Sequence, residues 1–278
     1  MSEKSRRDRK AIREALLRRP CIYCGGGTPA TTTDHMPSRS LFNDATWPEG
    51  FEFPACARCQ KISRYAETMI GFLSVIYSDP DDPPSEIEKR RRFAGLRRNY
   101  PQVYVNLFPS KEKIAKFIGD HGWPIDPVTN QPIQPVLNRV TGHLTPPVLS
   151  LDHPEVHEAV RIFGCKLACA LHYYETGRII PITGAIHVRW YSNVQLVEGK
   201  FPEVLHEINK SHRHLTRSKR TLNQQFTYAS AISEEKDSGI YLAIFRRSFA
   251  LQMSVVCERG FYPDVPFGEW TTPFNHMT

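Results

Sequence analysis

Apolar positions along the chain follow two rhythms. From 153 to 176, Val156, Val160, Phe163, Leu167, Leu171 and Tyr174 recur at helical steps, and Gly177 follows in the manner of a C-cap. Residues 61–77 repeat the pattern with Ile62, Met69, Ile70, Leu73 and Ile76. Residues 2–19 carry only Ile12, Leu16 and Leu17 on a background of Arg and Lys, and Pro20 stops that helix. A shorter helix is expected at 110–119. Runs of strand character fall at 183–190, 192–197, 226–233, 239–246 and 249–257, with Lys236-Asp237-Ser238-Gly239 as a turn between two of them. Thr31-Thr32-Thr33 and the alternating Phe51-Glu52-Phe53, ended by Pro54, predict two further short strands that pair.

Punctuation divides this pattern. The acidic, proline-rich stretch SDPDDPPSE (78–86) is a break, and residues 101–152 are dotted with proline and carry no recognisable chemistry. The expected organisation is a module at 1–78, a basic helix and proline-rich connection at 79–152, and a domain at 153–278. Strand, strand, helix in the first part, then a long helix with several strands, make the class α+β, with an antiparallel sheet in the larger C-terminal domain.

Charge adds a direction. The 278 residues carry a net charge of +7 and a pI near 9.0, which favours a polyanionic partner. The positive charge is clustered. EIEKRRRFAGLRRNY packs Lys89, Arg90, Arg91, Arg92, Arg97 and Arg98 into a few helical turns, with Phe93 and Tyr100 available to stack on bases. Such a face either is solvated or tracks phosphates, and the phosphate reading is preferred here. The basic helix at 2–19 and the stretch NKSHRHLTRSKRTLNQQ (209–225) are two further candidate backbone contacts. The N-terminal residues lack the apolar core of a secretory signal, and no run approaches the roughly 18 apolar residues of a membrane span. The expectation is a cytoplasmic protein with no membrane partner, in a compartment where thiols bind metal rather than each other.

The densest chemistry lies between Cys21 and Gln60. Two Cys-x-x-Cys pairs, Cys21/Cys24 and Cys56/Cys59, bracket Asp34-His35. Each pair can aim two thiolates at one ion, and together they make the four-sulfur shell of a closed structural zinc (Zn2+) site. Gly25-Gly26-Gly27 supplies the tight turn such a knuckle needs. Packing cysteines or a redox pair are the competing readings. Cys165, Cys169 and His172 share a helix face, and there packing is the preferred explanation. Cutting a phosphodiester requires a base near pH 7 and positive charge on the phosphate and leaving oxygen. His35 suits the first role, and a divalent ion held by Asp34 suits the second. Arg39, Arg58 and Lys61 stand near enough in sequence to contact phosphate, or are solvated surface. His157, His187, His206, His212 and His214 are read as surface or core residues.

In Cys21-Ile-Tyr-Cys24, Asp34-His35-Met-Pro-Ser-Arg-Ser-Leu-Phe42 and Pro54-Ala-Cys56-Ala-Arg-Cys59, about 50 of the 278 residues, the sequence resembles the HNH nuclease family. That resemblance implies a ββα-metal module with zinc on the four cysteines. It also implies His35 as general base and Asp34 as ligand to a catalytic Mg2+ or similar ion, in an endonuclease acting on nucleic acid, DNA favoured. The alternative it leaves is a zinc-stabilised nucleic-acid-binding protein with impaired catalysis. The chain departs from the family pattern at two places. Gln60 stands where Asn or His usually follows the second pair and is the candidate second ligand of the catalytic ion. No middle Asn precedes Cys56; Glu52, Asn43 and Glu67 are the candidate substitutes.

Overall fold

The computed structural model describes residues 3–76, 83–122, 136–137, 144–145, 149, 151, 153–192, 202–246, 248–258 and 270–273. Its elements, in order, are α1 (Glu3–Leu17), β1 (Thr32–His35), β2 (Glu52–Ala55), α2 (Ala57–Leu73), α3 (Glu86–Asn99), α4 (Pro101–Leu107) and α5 (Lys111–His121). There follow β3 (Val136–Leu137), β4 (Leu144–Thr145), α6 (Pro154–Thr176), β5 (Ala185–Ser192), α7 (Glu203–Asn209), β6 (Thr216–Arg217), β7 (Arg220–Thr221), β8 (Thr227–Ile232), β9 (Ser238–Phe245) and β10 (Phe249–Val256). The architecture is α+β, with helices beside antiparallel sheets. The expected strand at 192–197 lies, beyond Ser192, outside the described residues.

α6 organises the packing. Every position from Phe163 to His172 is buried, so the helix touches partners on several sides. On one side it meets α2, and on another it lies across β5 and β10 of the four-stranded sheet, whose order is β5-β10-β9-β8. The approach to the sheet is close. A Cβ on Gly164 would sit 2.4 Å from Val188 Cγ1, so any larger residue there would push helix and sheet apart. Gly177 closes the helix at φ +72°, with its N–H on the Tyr173 carbonyl.

β1 and β2 form a separate antiparallel pair, with Asp34 opposite Phe53 and His35 opposite Glu52. α2 begins at Ala57, earlier than the apolar rhythm alone suggests, because Cys56 is its N-cap and accepts the Cys59 N–H at 3.5 Å. One continuous apolar core joins the β1–β2 region to the rest. It runs from Phe42, Phe51 and Phe53 through Ile70 and Phe72 to Phe163, Leu167, Phe226 and Phe245. A smaller core under α7 holds Leu205, Ile208 and Tyr191. Among the described residues, no helix is long and apolar enough to cross a membrane.

Candidate functional site

The cysteine pairs meet. Cys21, Cys24, Cys56 and Cys59 place their sulfurs within 4.8 Å of one another, and only Cys24 is not fully buried. A zinc tetrahedron with bonds of about 2.3 Å has sulfur–sulfur edges of about 3.8 Å, so the donor set and its spacing fit such an ion. Local backbone explains the convergence. The Gly26 N–H bonds the Cys21 carbonyl at 3.2 Å and Gly27 N–H bonds Cys24 O at 3.3 Å, folding the first pair into a knuckle. A Cβ on Gly25, at φ +66°, would lie 2.6 Å from Ile182 N, so the knuckle rests directly on the chain after α6. The second pair straddles the N-terminus of α2, where the helix dipole favours thiolate. The thiol hydrogen bond from Cys21 holds Cys24 down at about 2, while hydrogen bonding to Cys24 pushes Cys21 up to about 12. A metal that binds these four sulfurs displaces the thiol protons. Among the described residues this is the one group of His, Cys, Asp or Glu close enough to hold a metal ion. Cys165 instead pairs with Thr271 Oγ1 at 3.0 Å, and His172 Nδ1 with Tyr241 OH at 2.9 Å.

Asp34 and His35 point to opposite sides of β1, as adjacent strand residues must. Asp34 turns into the protein. There Lys166 of α6, wholly buried, brings its Nζ to 2.6 Å from Asp34 Oδ2 and 2.5 Å from Glu67 Oε1. The ammonium also donates to Ser63 Oγ at 2.8 Å and lies 5.1 Å from the centre of the Tyr23 ring. Burial pulls the Lys166 ammonium toward neutrality, but the two carboxylates outweigh it and raise its pKa. Tyr23, buried beside the same carboxylates, is raised well above the ordinary tyrosine range, chiefly by burial. Gln60 Nε2 donates to the Thr33 carbonyl at 3.0 Å and to Asp34 Oδ1 at 3.3 Å. An ammonium therefore stands against one Asp34 oxygen, and an amide N–H against the other. This donor set does not fit a divalent ion between Asp34 and Gln60. The cation already there belongs to the chain.

His35 faces the other way, onto a cavity of about 750 Å³. Its ring lies 4.4 Å from that of Trp47, and its Nδ1 is 3.8 Å from Glu52 Oε1, its cross-strand neighbour. Burial lowers the His35 pKa from 6.5; Glu52 opposes that shift and Arg39 adds to it. The imidazole is thus neutral at pH 7, the form a general base requires. Trp47 is flanked by cations, with Arg217 Cζ at 4.2 Å and Arg39 Cζ at 5.0 Å from the ring centre. Arg217 sits on the β6–β7 hairpin, which is tied to the Trp47 loop. The Glu49 N–H donates to Thr216 O at 3.1 Å, and the Ser218 N–H to Glu49 Oε1 at 2.8 Å. Arg13 and Arg19 also line the cavity, with Tyr173 and Tyr174 from the end of α6. Arg19 Nη1 donates to Tyr173 OH at 2.5 Å.

The predicted cations therefore separate. Arg39 lines the His35 cavity, whereas Arg58, Lys61, Arg90, Arg91, Arg97 and Arg98 are exposed elsewhere. Arg92 is half-buried, donates to Ser74 Oγ at 3.2 Å, and is lowered to about 10 by burial and by Arg246. The arginines that join Arg39 come from the two other basic stretches, 2–19 and 209–225. Trp47, Tyr174 and Lys166 carried no sequence signal of a site, because their roles depend on pairings across the fold.

No protein-family model, no curated protein and no solved structure matches this chain.

Proposed function

We propose that the chain is a nucleic-acid phosphodiesterase whose general base is His35, mounted on a frame held by structural zinc at Cys21, Cys24, Cys56 and Cys59. The observation that carries this reading is the environment of His35: a neutral imidazole opening on a cavity lined by Arg13, Arg39 and Arg217 and by aromatic rings. In this scheme the guanidinium groups neutralise the phosphate, and Glu52, 3.8 Å from Nδ1, acts on the imidazole through its charge. His35 takes a proton from the attacking water at its other nitrogen; as the new P–O bond forms the bond to the leaving oxygen breaks, and that alkoxide, facing the guanidinium groups, takes its proton from bulk water. Zinc, when bound, supplies a rigid cross-link between the first knuckle and the start of α2, which fixes β1 and β2 between them. Asp34 is a positioning residue here: its pairing with Lys166 anchors the strand that presents His35. No step is assigned to a divalent ion at Asp34 and Gln60, because Lys166 and the Gln60 amide take that place.

The Asp34–Lys166 pair also favours a second reading, a zinc-stabilised protein that binds nucleic acid without cutting it. Purified full-length protein incubated with plasmid and single-stranded substrates, with and without Mg2+ or Mn2+, separates the two. Cleavage lost by about 10²–10⁴ in His35→Ala, with folding and zinc content unchanged, supports the first. Binding without cleavage under every condition supports the second, and neither binding nor cleavage removes both.

A further inference from the structure

The His35 cavity is an open cleft of about 750 Å³, the size of a small-ligand pocket, so a nucleotide or two can be accommodated beside His35. Ile12, Arg13 and Leu16 of α1 line it, so this helix forms one wall beside His35. α1 is held there by contacts with both β1 and β2, and just beyond its end Arg19 is bonded to Tyr173.

The cavity walls combine two kinds of recognition. Arg39 and Arg217 sit on Trp47 with their charge facing the same space as His35. Tyr174, 45% exposed, leans on Phe51 with ring centres 4.7 Å apart, and offers its remaining surface to the cavity. At Gly50, φ +82°, a Cβ would lie 3.3 Å from Tyr174 Cε2, so the missing side chain leaves room for that ring. Cations that follow a backbone, together with an exposed aromatic that takes a base face, are the working parts of a single-strand site.

We infer that the polynucleotide recognised at His35 is an unpaired strand, one or two nucleotides of which enter the cavity with a base on Tyr174 and phosphates on Arg39 and Arg217. This rests on the function proposed above. A base can stack on Tyr174 only when it is unpaired, so a duplex would have to be opened to use that ring, and that cost sets the preference.

Fluorescence anisotropy with the full chain tests it, using labelled oligothymidine, oligouridine and a blunt DNA duplex at one salt concentration. Single strands are expected to bind at least about ten-fold tighter than duplex. The DNA and RNA arms identify which polynucleotide is taken. Tyr174→Ala and Arg217→Gln, both at exposed or partly exposed positions, are each expected to weaken single-strand binding about five-fold or more, and Tyr174→Ala to narrow the gap between single strand and duplex. Duplex bound as tightly as single strands, or a single-strand preference that both variants leave intact, overturns the inference while nucleic-acid binding itself stands. Failure of all three probes to bind removes the proposed function, and this inference with it.

Discussion

Replacing Lys166 by methionine removes one charge from the most buried ionic cluster among the described residues. In the native protein the Lys166 ammonium faces Asp34 and Glu67 at 2.6 and 2.5 Å, with side-chain exposures of 0, 10 and 19% for the three residues. Methionine keeps most of the volume, so the packing of α6 on α2 changes little. Two carboxylates are left facing each other without a cation. Breaking a buried ion pair from one side costs about 3–5 kcal/mol. At about 2–4 °C per kcal/mol for a protein of this size class, the melting temperature should fall by roughly 6–20 °C. The assay is thermal unfolding followed by circular dichroism at several pH values. The deficit should shrink at low pH, where protonating one carboxylate removes the uncompensated charge. The double variant Asp34→Asn/Lys166→Met should be less destabilised than Lys166→Met alone. Lys166→Ala leaves space among two carboxylates and Ser63, and Mn2+ or Ca2+ should raise the melting temperature of that variant but not of the wild type. A Lys166→Met protein that melts within a degree or two of the wild type, at every pH, refutes the reasoning.

Further outcomes follow from the same geometry. Cys21→Ser should lower bound zinc, measured by a chromogenic chelator after denaturation, and should reduce the melting temperature; undiminished zinc would refute the four-sulfur site. His35 has its pKa lowered by burial, so its contribution to stability is present above 6.5 and is lost as pH falls through the lower folded value. The acid limb of any cleavage profile should therefore lie below pH 6.5, moving lower in Glu52→Gln, which loses a raising charge, and higher in Arg39→Ala, which loses a lowering one. Lys166 behaves in the opposite sense: its pKa is raised above 10.5, so its contribution holds below that value and is lost only as pH rises through the folded value. If Arg13, Arg39 and Arg217 each contact a phosphate, the logarithm of single-strand affinity should fall with the logarithm of salt at a slope of about −2, and Arg217→Gln should reduce that slope by about one third.

Much of the fold is legible in the sequence because periodicity is local. The stripe from Val156 to Tyr174 with Gly177 behind it reads as one helix, and α6 spans Pro154–Thr176. The strands at 226–233, 239–246 and 249–257 become β8, β9 and β10 within a residue or two at each end. The four cysteines are legible for a related reason: a two-residue spacer fixes each pair locally, so only the meeting of the pairs depends on the fold. The site around His35 is different. Alternation along β1 does predict that Asp34 and His35 diverge, but nothing near Asp34 in sequence shows that its partner is Lys166, far along the chain on another helix. An apolar helix with one lysine on its stripe reads as a core helix with a surface residue, and here the core holds the charge. Arg13, Trp47, Tyr174 and Arg217 likewise come from four separated segments that tertiary packing brings to one cavity.

Cleavage of single-stranded oligonucleotide by wild-type protein and by His35→Ala, prepared side by side with matched zinc content and melting temperature, tests the central claim most directly. The account predicts product from the wild type and at least about a hundred-fold less from the variant. Equal product from both proteins, or none from the wild type across pH and divalent-ion conditions, would contradict it.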